Sequence, residues 1–154
     1  MTFENFIKDY SKKELLKQQK TNFKTIENTI TRAYKEITIA KANLSIDEGV
    51  SFTVAYTAML HAARALMFVK GFRPNNSYQH KTAVEFASIV LGNQYRTLIQ
   101  KFDKMRKKRN IFTYEVSISI SKTEVSNAIK NAEELVKTIK NLIEESNPQY
   151  KFKF

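Results

Sequence analysis

Along TNFKTIENTITRAYKEITIAKANL, residues 21–44, the apolar side chains Ile26, Ile30, Ala33, Ile37, Ala40 and Leu44 recur at spacings of four and three. That spacing predicts one stripe of an amphipathic helix, with Lys24, Lys35 and Lys41 mostly off it. Ser45 and Glu48, in S-I-D-E, read as a capping box that opens a second helix at once. Its stripe is Phe52, Tyr56, Met59, Ala63 and Leu66, thickened by Leu60 and Met67, and Gly71 ends it before a Pro74-Asn75-Asn76 turn. Residues 80–110 predict two consecutive helices broken near Gly92-Asn93. TYEVSISIS then alternates like a strand, but a lone strand has no partner to pair with, so an ordered loop is expected there. Ser121 to Glu124 reads as a second capping box. The helix it opens carries Val125, Ala128, Ala132, Leu135, Ile139 and Leu142, up to Pro148. Residues 3–19 suggest a short amphipathic helix, and the tail QYKFKF is either disordered or packed on a neighbour.

With only three Gly and two Pro in 154 residues, a fold of many tight turns is disfavoured. The expected class is all-α: an antiparallel bundle of four main helices plus short additional ones. One domain over 1–154 suffices, with 1–19 as an N-terminal helical extension and 147–154 as a tail. The absence of cysteine excludes disulfide scaffolds, thiol nucleophiles and Cys-ligated zinc. No stretch reads as a signal peptide or as the ~20 apolar residues of a membrane span, so a cytoplasmic protein with no membrane partner is expected. The charge of +11 raises the expectation of a polyanionic partner, although an AT-rich genome would also favour lysine.

Candidate chemistry centres on DKMRKKRNIFTYE, residues 103–115. Leu98, Phe102 and Met105 continue an apolar face whose next steps are Arg109 and Phe112. The helix is therefore expected to aim one arginine inward. A buried guanidinium needs a carboxylate, carbonyls or a bound anion. The bland possibility is an ion pair with Glu36, Asp47, Glu48, Glu85 or Glu115. The functional one is a phosphodiester, held by Arg109 with Asn110 and Tyr114 nearby, inside a cationic collar of Arg106, Lys107 and Lys108.

Two stretches carry a family likeness: AYTAMLHAARALMFVKGFRP, residues 55–74, with His80 soon after, and RKKRNIFTYE, residues 106–115. They resemble the HEPN family, and SNAIKNAEELVKTIKNLI resembles its closing helix. The likeness spans roughly residues 20–145. It implies a helical bundle that homodimerises and joins two copies of an arginine–polar–histidine signature in one cleft. Many such proteins are metal-independent ribonucleases, commonly toxins opposed by a nucleotidyltransferase-type antitoxin; others bind RNA or a partner without cleaving. Arg109 and Asn110 match the signature, whereas Tyr114 stands where its histidine is expected. Tyrosine, with a pKa near ~10, is a poor base at neutral pH compared with histidine near ~6.5.

His61 reads as a helix–helix contact and His80 as a cap or interface residue, each with a secondary reading at a nucleic-acid surface. Two such distant histidines make no metal site. There is no phosphate-cradling Gly-rich loop, no H-E-x-x-H and no G-x-S-x-G, so neither cofactor nor metal is expected. Three functions stand side by side. The first is a dimeric RNA- or nucleotide-binding module of toxin–antitoxin type with a degenerate ribonuclease motif. The second is an active endoribonuclease using Arg109, Asn110 and Tyr114, and the third a purely structural helical protein.

Overall fold

The computed structural model describes residues 1–75, 78–115, 119–147 and 151–152. Six α-helices carry the fold: α1 Phe3–Lys12, α2 Phe23–Asn43, α3 Glu48–Val69, α4 Gln79–Leu91, α5 Arg96–Tyr114 and α6 Lys122–Ser146. Helix α3 is the centre, packed against α2, α4, α5 and α6. It buries Ala58-Met59-Leu60, Ala62-Ala63 and Ala65-Leu66-Met67, so it is enclosed on nearly every side rather than along one stripe. By length and composition this helix could cross a membrane, but it is the core of the bundle.

Helices α2 and α3 run antiparallel. Ser51 Oγ donates to the Ala40 carbonyl at 2.6 Å near their connection, and Thr21 Oγ1 donates to Phe68 O at 3.0 Å at the far end. The predicted stripes are buried, except that Leu44 and Leu142 sit at the rim, where Ile143 takes the inward position beside Leu142. Helix α3 is capped differently from expectation. Asp47, not Ser45, is the N-cap, in extended conformation, and its carboxylate accepts from Val50 N at 3.0 Å. Asp47 stands one residue before the first helical position, where its oxygens reach the unpaired amides; Ser45 lies two residues too early. At α6 the expected cap is present, with Ser121 Oγ accepting from Glu124 N at 3.1 Å. Gly71, at φ +88°, ends α3, and Gly92, at φ +78°, separates α4 from a 3-10 turn at Asn93–Tyr95.

The helix expected over residues 3–19 ends at Lys12. Glu14 adopts φ +59° and the chain turns back, Leu15 N–H bonding Tyr10 O at 2.8 Å and Glu14 N–H bonding Ser11 O at 3.1 Å. Strand β1, Leu16–Gln18, then pairs antiparallel with β2, Phe72–Pro74. This small sheet, unforeseen in the sequence, clips the N-terminal segment to the chain leaving α3. The alternating TYEVSISIS segment lies partly outside the described residues, at 116–118, and its described residues past α5 form no strand. In the tail, Phe152 is buried and stacks on Phe23 with ring centroids 5.6 Å apart.

Candidate functional site

The expectation of one inward guanidinium within a ring of solvated cations needs correcting. Arg106 and Arg109 are both part-buried on α5, and Arg106, placed in the outer collar by its sequence position, has a side chain only 14% exposed. Its Nε donates to Asp103 Oδ1 at 2.9 Å. Lys107 pairs with the same carboxylate at 3.3 Å, and Lys108 turns to α6 to bind both carboxylate oxygens of Glu124. Arg106, Lys107 and Lys108 thus each have an acidic partner within reach. Burial pushes the Asp103 carboxyl up, but the hydrogen bonds and charges of Arg106 and Lys107 outweigh it and hold the group below the usual range. Arg109 Nη1 donates to Asn110 Oδ1 at 3.4 Å. Asn110 is exposed, and Tyr114, the last residue of α5, is 85% exposed.

Three of the acids considered for Arg109 are engaged elsewhere. Asp47 caps α3, Glu85 lies 3.9 Å from Lys81, and Glu36 is buried between α2 and α3. His61 Nδ1 sits 2.6 Å from Glu36 Oε1 and Arg32 Nε 3.5 Å from Oε2. His61 is therefore a helix–helix contact that satisfies a buried carboxylate.

His80 is placed quite differently. It opens α4, and its Nδ1 lies 2.8 Å from the hydroxyl of Tyr56, a fully buried residue of α3. The Tyr56 ring in turn meets Phe102 of α5 at 5.9 Å. Phe102, Arg106 and Arg109 follow one another at i, i+4 and i+7, so both arginines continue the face of α5 that touches Tyr56. From α3, Arg64 stands two turns after Tyr56, and its Nη2 donates to Gln79 Oε1 at 3.2 Å, next to His80. Burial, then the charges of Arg109, Arg64 and Arg106, pull the His80 pKa below 6.5. Burial, partly opposed by the same arginines, raises that of the Tyr56 hydroxyl, which stays protonated. Three helices thus bring three guanidiniums around one neutral imidazole.

Beside this cluster, a cleft of about 660 Å³ runs between α4 and α5, lined by Lys81, Lys104, Arg106 and Lys107 as well as Glu85 and Asp103. Arg106 belongs to both. Sequence reasoning missed Arg64, Gln79 and Tyr56. The available signal was Arg64 itself, the sole Asp, Glu, Lys or Arg between Glu48 and Lys70 in a helix otherwise fit for the core. Among the described residues, no group of three His, Asp or Glu side chains is placed to hold a metal ion. The sequence profile of the HEPN domain matches residues 26–142, which span α2 to α6 except their outermost turns. A search of curated proteins returns no match.

Proposed function

The chain belongs to the HEPN domain family, and from that premise we propose that it is a dimeric RNA- or nucleotide-binding module with a degenerate ribonuclease motif. One observation carries this reading: Arg64, Arg106 and Arg109 act together on His80 beside a cleft lined by further lysines. Clustered guanidiniums with adjoining lysines suit a phosphate backbone, because arginine's planar fork matches phosphate oxygens and lysines add field without geometry. Tyr114, exposed and with a hydroxyl that is a poor base, replaces the signature histidine, which favours binding over turnover. A second copy of the chain is the proposed cover for an apolar end of the bundle. There a cleft of about 600 Å³ joins the first turns of α3 to the end of α5, lined by Val50, Val54, Phe112 and Ile120 beside Asp47, Glu48 and Glu115, and Ile46, Ile111 and Tyr114 are exposed at neighbouring positions of the chain. A nucleotidyltransferase-type antitoxin is the proposed partner, on the family resemblance of residues 55–74 and 106–115, and the cytoplasm is the proposed compartment.

The test is RNA binding followed by anisotropy across a salt series, with gel analysis of the RNA afterwards. The expected result is an affinity that falls steeply with salt while the RNA stays intact. Binding that is absent or indifferent to salt would sink the proposal.

One observation favours a second reading, that of an active endoribonuclease. The segment from Arg109 to Tyr114 contains no histidine, yet the fold brings His80 within the field of Arg109 and keeps it neutral, able to accept a proton from a ribose 2′-hydroxyl. Under that reading RNA is cut with chelator present, and the cutting disappears in Arg109→Ala and His80→Gln alike.

A further inference from the structure

Arg64 is half-satisfied in a specific way. The Nε–H and one Nη2–H of a guanidinium lie parallel and form a side-on fork for two acceptor oxygens. In Arg64 the Nη2 branch meets the single oxygen of the Gln79 amide at 3.2 Å, while the Nε branch is buried and has no hydrogen-bond partner among the described residues. A buried N–H left unmade is destabilising, and here the amide oxygen serves the Nη2 branch and not the Nε branch. Gln79 is exposed, so it is able to swing away without disturbing the core. It sits like a one-oxygen substitute on a two-oxygen receptor.

We propose that the corner formed by Arg64, Gln79 and His80 is a receptor for a terminal phosphate monoester, the end of an RNA or a free nucleotide, which displaces the Gln79 amide and takes both branches of the Arg64 fork, with His80 and Arg109 at its side. This rests on the nucleic-acid reading above and adds an end preference to it. A monoester carries up to two charges where an internal phosphodiester carries one, and the corner is the place where Arg64, Arg106 and Arg109 already repel a proton from His80. A monoester also offers three unesterified oxygens to the internal linkage's two, enough to serve the fork and still meet His80.

The experiment uses the full chain and short RNAs of one sequence that end in a 5′-phosphate, a 3′-phosphate or hydroxyls only, with AMP, inorganic phosphate and a phosphate-free acidic peptide as competitors. A phosphorylated end is expected to bind about tenfold tighter than a hydroxyl end, the worth of one charge-assisted hydrogen-bond pair. Whether the 5′- or 3′-phosphate gains tells which end is read. Arg64→Lys keeps the charge but removes the fork, and it should bring the phosphate-ended and hydroxyl-ended RNAs within about twofold of each other. Gln79→Glu, on the surface and harmless to folding, should abolish the preference by occupying the fork with its own carboxylate. Equal binding of all ends by the wild type, a preference that survives both variants, or competition by the acidic peptide as strong as by AMP would each overturn the inference. If no RNA binds but AMP or inorganic phosphate still raises the melting temperature in an Arg64-dependent way, the receptor stands and the RNA reading falls.

Discussion

The hydroxyl of Tyr56 and Nδ1 of His80 meet at 2.8 Å, a contact that fastens the first turn of α4 to the core of the bundle. It has a consequence for pH. Burial and three arginines depress the pKa of His80 from its ordinary 6.5, so between that value and the lower native one the unfolded chain binds the extra proton. The stability contributed by neutral His80 is therefore complete above about pH 6.5 and is lost as pH falls through that window. Thermal melts over this range should show the decline, and His80→Gln should flatten it.

His61 is expected to matter for the fold and not for RNA binding. Its imidazole meets a Glu36 carboxylate that is only 3% exposed, leaving Arg32 at 3.5 Å as the remaining partner if it is removed. His61→Ala should destabilise the fold by roughly 1–3 kcal/mol, the range for orphaning a buried acceptor, with no change in RNA affinity. Denaturant titration beside an anisotropy assay separates the two effects. A loss of affinity at unchanged stability would instead return His61 to the nucleic-acid surface.

These two histidines show where the sequence stops being readable. Helix α2, the breaks at Gly71 and Gly92 and the Ser121 cap were legible because each is fixed by neighbours within a turn or two. The Asp47 cap was a near miss, decided by which of two polar residues stands nearer the free amides. The β1–β2 pair was illegible: three-residue strands carry almost no period, and Leu16 meets Pro74 across most of the N-terminal half. The site divides in the same way. Arg109 and Asn110 stand in a local motif, whereas the meeting of Arg64, Gln79, His80 and Tyr56 depends on how α3, α4 and α5 pack. Arg106 was grouped with the collar lysines although it stands four residues after Phe102, on the same face, and how deep it sits depends on the neighbouring helices as well.

Glu14 offers a test of backbone strain. It occupies φ +59°, the turn position after α1 where glycine is the favoured residue, and its own hydrogen bonds use its main-chain atoms, Glu14 N donating to Ser11 O and Glu14 O accepting from Asn75 Nδ2 at 3.2 Å. Glu14→Gly should raise stability by about 0.5–1 kcal/mol, the relief of left-handed strain less the entropy glycine gains in the unfolded chain. A drop in the denaturation midpoint would mean that the Glu14 side chain contributes more than its backbone costs.

Arg109→Ala bears on the site as a whole, because two readouts that have no structural link should move together. Arg109 is the leading charge, after burial, that keeps the proton off His80, so its removal should raise the His80 pKa toward 6.5, as followed by imidazole NMR. If Arg109 also contacts a backbone phosphate, the slope of log affinity against log salt should shrink by about one. The variant should stay folded, since Arg109 is only part-buried and Tyr56, Phe102 and Met105 keep their packing beneath it. A shifted pKa with an unchanged salt slope would leave Arg109 as a neighbour of His80 that RNA does not touch. A changed slope with a fixed pKa would separate Arg109 from the imidazole. Only the joint movement makes Arg109 and His80 parts of a single anion-binding surface.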